Sequence, residues 1–309
     1  MIDKLGGGLA AIGNTPLVQL GPVVPDGAAE VWVKLEGANP TGSYKDRMAI
    51  ALVTNGLERG DILPGDTLVE FTGGSTGTAL AFVAAVHGIE FTAVFSDAFS
   101  ASKQQAMEAF GATVLVEPSG DGTITNELAE RMRVRALTLA AEPGHVYADQ
   151  FGSPDIRPGY RPMGEEIGAA LDRIDVFCAA VGTGGALMGA LDGLRASGHT
   201  PDVVALEPTE SPLLSTGVGG AHTVEGIAVF PDPPFLERSA LTDVRTVDQD
   251  RAFEMCRRLA RHEGVFGGGS TGLNVCAAID LAVELGEGHR VVTLGCDHGV
   301  KYLGGPIYS

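Results

Sequence analysis

Short apolar runs alternate with longer amphipathic segments along almost the whole chain, and this alternation most restricts what it can fold into. Strand-like runs fall at 31–35, 67–71, 91–95, 113–116, 175–181, 203–206 and 290–294. Helix-like segments lie between and beyond them, at 45–59, 76–87, 102–110, 124–141, 160–171, 185–197, 248–262 and 271–285. Strand, helix, strand, helix predicts a largely parallel α/β architecture, because a parallel neighbour needs a crossover long enough to hold a helix. With 309 residues, two α/β domains fit better than one. No short-period internal repeat is present. The stretch 145–162, rich in Gly, Pro and Asp, is the candidate domain boundary. A second loop-rich region, 207–234, is long for an irregular segment, and such segments are more often functional than idle.

Composition narrows the function classes. Asp plus Glu is 39 against 21 Lys plus Arg, a formal charge of −18. With no basic stripe, nucleic acid and anionic membrane are not expected partners. No apolar run is long enough to cross a bilayer, and Met1-Ile2-Asp3-Lys4 lacks the layout of a signal peptide. Cys178, Cys256, Cys276 and Cys296 show no metal or CxxC spacing, so a reduced, cytoplasmic setting is expected. His87, His145 and His222 lack metal-ligand spacing, and no metal is expected. Phe82, Phe91, Phe95 and Phe99 read as core rather than as a ligand box.

The 44 glycines cluster at strand-to-helix junctions, where backbone can approach a ligand. Asn39-Pro40-Thr41-Gly42-Ser43-Tyr44-Lys45-Asp46-Arg47 follows a strand and opens a helix, with Ser43 a plausible N-cap. Lys45 then lies in the first turn, where the helix dipole disfavours an ammonium and so suits Schiff-base chemistry. On spacing alone, an ordinary solvated lysine is the preferred reading. Thr72-Gly73-Gly74-Ser75-Thr76-Gly77 has the same strand–loop–helix setting and makes an anion site or a capped turn. Val181-Gly182-Thr183-Gly184-Gly185-Ala186 superficially resembles a dinucleotide fingerprint, but Leu187 replaces its third glycine. Glu207 sits where a ribose-binding acid would, and a phosphate site without a dinucleotide explains the glycines equally well. Gly267-Gly268-Gly269-Ser270-Thr271-Gly272 precedes a helix, with Ser270 as N-cap the simplest reading. Cys296-Asp297-His298 suggests a thiol–imidazole pair, but adjacent side chains rarely face each other productively.

Together with Ile12-Gly13-Asn14-Thr15-Pro16-Leu17, Lys34-Leu35-Glu36, Asp149-Gln150-Phe151 and Val224-Glu225-Gly226-Ile227, these motifs are similar in order and spacing to the cysteine synthase and cystathionine β-synthase family. These are fold-type II pyridoxal 5′-phosphate (PLP) enzymes, and the likeness runs from about Gly13 to Leu303. The resemblance implies two three-layer α/β domains with parallel sheets, of the tryptophan synthase β-like type, with the active site between them. The expected smaller domain is 35–150, and the larger is 1–34 with 151–309. It implies that Lys45 carries PLP as a Schiff base and moves the proton at Cα. Gly182, Thr183, Gly184, Gly185 and Ala186 would hold the phosphate, Ser75 the ring hydroxyl and Ser270 the pyridine nitrogen. Thr72, Gly73, Gly74, Thr76 and Gln150 would hold the substrate carboxylate, with Gly226 at the mouth. A homodimer is implied as well.

The implied reaction is β-replacement on an activated L-serine, such as O-acetylserine, through an α-aminoacrylate, giving L-cysteine or a related β-substituted alanine. β-Elimination, threonine synthase-like chemistry, a PLP-binding pseudoenzyme and a nicotinamide-dependent oxidoreductase are the alternatives. The chain also departs from the family pattern. Cysteine synthases usually read T-S-G-N-T-G where this chain has Thr72-Gly73-Gly74-Ser75-Thr76-Gly77, and Ala186 replaces a usual threonine. The changes remove a donor at Gly73, shorten one at Ser75 and delete a phosphate contact at Ala186.

Overall fold

The computed structural model describes residues 6–120, 122, 125–229 and 231–309. In chain order the strands are β1 (Leu17–Gln19), β2 (Glu30–Leu35), β3 (Thr67–Phe71), β4 (Glu90–Ser96) and β5 (Thr113–Glu117), followed by β6 (His145–Tyr147), β7 (Val176–Ala180), β8 (Asp202–Pro208), β9 (Asp243–Val247) and β10 (Arg290–Gly295). The helices are α1 (Lys45–Arg59), α2 (Ser75–His87), α3 (Ala101–Ala109), α4 (Asn126–Ala140) and α5 (Ile156–Ala170), then α6 (Gly185–Ala196), α7 (Leu213–Thr216), α8 (Gln249–His262) and α9 (Gly269–Leu285). The chain forms two compact units: the described part of Met1–Ile12 with Lys45–Gly159, and Gly13–Tyr44 with Tyr160–Ser309.

The first unit carries a four-stranded sheet in the order β5-β4-β3-β6, with every pairing parallel. Val69 and Val94 pack against Leu128, Met132 and Ala136 of α4. Their neighbours Leu68 and Phe95 are also buried, and alternation along a strand turns them to the opposite face. Both faces are therefore covered, the usual condition of a parallel sheet. Thr125 caps α4 by accepting from Leu128 N at 3.1 Å. The expected start of that helix at Ile124, like the residues Met1–Lys4, lies outside the described residues.

The second unit carries a six-stranded sheet in the order β1-β2-β10-β7-β8-β9. All its pairings are parallel except that of β1 with β2. Register runs Val292↔Trp32 and Val292↔Phe177, so β10 sits between β2 and β7. The core beneath it joins Val31, Val33, Val176, Cys178, Val204 and Val291 to Leu273, Ala277 and Ala278 of α9.

Strands β1, β6 and β9 went unpredicted. Two of them are three residues long, and all three lie at sheet edges, where little apolar periodicity is needed. Ser43 pairs with Asp297 in an isolated bridge just before α1, which begins at Lys45, and one expected N-cap is corrected. Gly268, not Ser270, is the N-cap of α9, so Ser270 falls inside its first turn.

Candidate active site

In the first unit, the loop after β3 is closed by its own threonine. Thr72 Oγ1 accepts from Gly74 N at 3.0 Å and from Gly77 N at 3.1 Å. This turns the chain into α2, whose first-turn N–H groups have no intrahelical carbonyl. Gly74 has φ +134°, and a Cβ there would lie 2.4 Å from Lys103 Cδ, so no side chain is tolerated. Thr72, Gly74 and Thr76 are buried, whereas Gly73 and Ser75 are half-buried.

Gln150 joins this loop through its side chain. Thr76 Oγ1 donates to Gln150 Oε1 at 2.7 Å, and Gln150 Nε2 donates to Phe71 O at 2.9 Å. The backbone of Gln150 is held by Glu70, whose Oε2 accepts from Gln150 N at 2.9 Å and whose Oε1 accepts from Phe71 N at 3.0 Å. Glu70 is fully buried. Burial raises its carboxyl to about 8; the two backbone donors oppose the rise, and the nearby Asp149 charge adds to it. The structure therefore brings Thr72, Gly73, Gly74, Ser75, Thr76 and Gln150 into one cluster. Glu70 was missed, although an acid within Thr67-Leu68-Val69-Glu70-Phe71 was a legible signal. Lys45, in the same unit, is the first residue of α1 and is half-buried.

In the second unit, β7 ends in the cradle of Gly182, Thr183, Gly184 and Gly185, which opens α6. A Cβ at Gly182 would lie 2.4 Å from Gly226 O, and one at Gly184 (φ +85°) would lie 2.7 Å from Leu236 N. Val181 O accepts from Ala228 N at 2.9 Å and Thr183 O from Phe235 N at 3.0 Å. Ala228 and Phe235 thus occupy two of the loop's carbonyls, and the loop stands where α6 begins, at the positive end of its dipole. Thr183 Oγ1 accepts from Gly185 N at 3.3 Å. Ala186 is half-buried in the first turn and offers no hydroxyl.

Ser270 is 8 % exposed, and its hydroxyl makes no hydrogen bond among the described residues. It sits beside a close-packed turn, where a Cβ at Gly268 would lie 2.3 Å from the Tyr302 ring. Tyr302 Oη in turn donates to Asp297 Oδ2 at 2.6 Å. The residue before Lys45 belongs to this region, since Tyr44 N donates to Cys296 O at 3.0 Å.

Two competing readings meet contrary geometry. Glu207, the supposed ribose-binding acid, is fully buried. It accepts from Leu214 N at 2.6 Å, Ser215 N at 3.0 Å and Ser215 Oγ at 2.6 Å, so its carboxylate is committed to α7. Cys296 and His298 do not act as a pair. Cys296 Sγ accepts from Asn274 Nδ2 at 3.4 Å, while His298 Nδ1 accepts from Val300 N and its ring stands edge-on to Phe266.

A parallel α/β fold with glycine loops at helix N-termini suits the binding of an anionic group. The family model described as "Pyridoxal-phosphate dependent enzyme" matches residues 9–297, and the chain belongs to that family, with the fold of its fold-type II members and PLP as cofactor. A cysteine synthase of Staphylococcus aureus is 38% identical over 302 residues, covering 96% of this chain and 95% of that protein. An O-ureido-L-serine synthase of Streptomyces lavendulae is 36% identical over 304 residues, covering 96% and 90%. A crystal structure of an O-ureido-L-serine synthase superposes with a TM-score of 0.90 at 35% identity, covering 97% of this chain and 94% of that one. The residues present fit PLP: a glycine loop without side chains at 182, 184 and 185 where α6 begins, a Ser270 hydroxyl with no hydrogen bond among the described residues, and a lysine opening α1.

Proposed function

We propose that this protein catalyses β-replacement on an activated L-serine such as O-acetylserine, giving L-cysteine or a related β-substituted alanine. The observation that carries this reading is the glycine cradle at Gly182 and Gly184, in a chain similar over nearly its full length to cysteine synthase. PLP, when bound, supplies the electron sink that labilises the Cα proton and the β-substituent. Gly182, Thr183, Gly184, Gly185 and Ala186 would hold its phosphate through backbone N–H groups, with Thr183 adding its hydroxyl. Lys45 would hold it covalently and would serve as the acid–base group for the Cα proton. Ser270 would offer the pyridine nitrogen a neutral hydroxyl, and Ser75 would serve the ring hydroxyl.

Thr72, Gly73, Gly74, Thr76 and Gln150 hold the substrate carboxylate, which fixes the bond at Cα that aligns with the cofactor's π system. The Gln150–Thr76 hydrogen bond keeps both groups in place before substrate arrives, and Gly226 stands at the mouth. A homodimer in the cytoplasm completes the reading; four buried cysteines outside any disulfide support the reducing compartment.

The test is borohydride reduction of the purified holoprotein, followed by peptide mapping. A reduced PLP adduct on Lys45 is expected. Lys45→Ala should lose the adduct, with turnover of O-acetylserine and sulfide lower by about a thousandfold or more. An adduct on another lysine would sink the assignment.

A further inference from the structure

Of the four phenylalanines read as core, three are folded away: Phe82 is 6 %, Phe91 3 % and Phe95 1 % exposed. Phe99 differs. It is half-buried, and its ring tilts on Phe95 with centroids 5.4 Å apart. The free edge of that ring fills the place of a side chain at residue 73. A Cβ on Gly73 would lie 2.9 Å from Phe99 Cε1, 3.2 Å from Cζ and 3.4 Å from Cδ1.

The backbone does not require glycine here. Gly73 lies outside the positive-φ region, unlike Gly74, so its conformation is open to any L-residue. What a side chain at 73 would meet is the ring of Phe99, which would have to shift to admit it. The two residues form one steric unit, with the missing side chain of one made good by the other. Within the loop, Gly73 and Ser75 are the half-buried positions. An arriving ligand meets them, and at Gly73 it meets an aromatic edge whose C–H groups carry slight positive charge.

We propose that Phe99 is a specificity-determining residue of the carboxylate-binding loop. Its ring edge replaces a hydroxyl donor at position 73 and confines the substrate carboxylate to the backbone N–H groups and the Thr76–Gln150 pair. This rests on the reading of the 72–76 loop as the carboxylate site. A hydroxyl at 73 is then incompatible with the ring, and the ring is dispensable only when the hydroxyl returns.

A double-mutant cycle on the holoenzyme tests this: Gly73→Ser, Phe99→Ala and the two together. The first readout is the dissociation constant of L-serine, from the change it causes in the visible absorbance of bound PLP. The second is the split between KM and kcat with O-acetylserine. Each single variant should weaken L-serine about tenfold or more, and the pair should return to within about threefold of wild type, since residues in contact couple strongly. KM should carry most of the change. Phe99→Leu, which keeps apolar contact with Phe95, guards against a folding defect and should also be rescued by Gly73→Ser. L-Serinamide, which lacks the carboxylate, should bind all variants alike. Wild-type affinity in Gly73→Ser, or strictly additive losses, overturns the proposal while leaving the function intact. A wild type whose spectrum responds to no amino acid overturns the functional reading and the proposal with it.

Discussion

Glu70 shows how one side chain ties the stability of the site to pH. Its carboxyl is buried between Phe71 N and Gln150 N, with Tyr147 and Asp149 the ionisable neighbours on the β6 side, and it is raised from 4.5 to about 8. Between these values the folded chain keeps a proton that the unfolded chain releases. The sign follows: this contribution is whole below about 4.5 and is lost as pH rises through about 8, by a few kcal/mol in order of magnitude. Glu70→Gln cannot titrate. Chemical denaturation of both proteins from pH 5 to 9 should show wild type losing stability relative to the variant as pH rises. Parallel curves would mean that the carboxyl titrates at its ordinary value. Because Glu70 also holds Gln150, the variant should raise KM for O-acetylserine in the neutral range by less than about tenfold.

At the scale of elements, the crossing of α5 and α6 is set by two glycines. A Cβ on Gly164 would lie 1.8 Å from Ala190 O, and one on Gly193 would lie 2.1 Å from Arg161 O. Both contacts are with backbone, so no rotamer change can relieve them. Gly164→Ala and Gly193→Ala should each destabilise by about 1–3 kcal/mol or more. Gly21→Ala, where nothing lies within 4 Å and φ is not positive, should be neutral within about 0.5 kcal/mol. Equal melting temperatures for Gly164→Ala and Gly21→Ala would refute this packing.

The elements around that crossing were legible because burial leaves a period. Helix α6 lies within one residue of its expected span, and β7 is contained within its expected run. The glycines of the crossing were visible, but their reason was not, since a close approach is a property of two segments and not of one. The same holds for the site. Loops 72–77 and 182–186 stood out at strand-to-helix junctions. The cap expected at Ser270 lies two residues earlier, because Gly268 caps α9 with an extended backbone and no side chain. Phe99 reads from sequence only as core, because its place depends on an empty Cβ 26 residues earlier in the chain.

Across the whole molecule, a formal charge of −18 repels an anionic cofactor at long range. Added salt should therefore speed PLP association with the apoprotein, since the Debye length is about 10 Å at 0.1 M. Local structure must overcome that field, and the proposed groups supply two distinct anchors. Gly182–Gly185 would supply the phosphate anchor and Lys45 the covalent one. Anchoring by phosphate and anchoring by covalent bond should thus be separable. Lys45→Ala should still bind PLP without a covalent bond, and saturating cofactor should raise its melting temperature by mass action. Gly182→Ala places a methyl group 2.4 Å from Gly226 O, which distorts the cradle while leaving Lys45 in place. It should lose PLP on gel filtration, with cofactor affinity reduced about tenfold or more. The reverse pattern, with PLP kept by Gly182→Ala and no thermal shift in Lys45→Ala, would move the phosphate site away from α6.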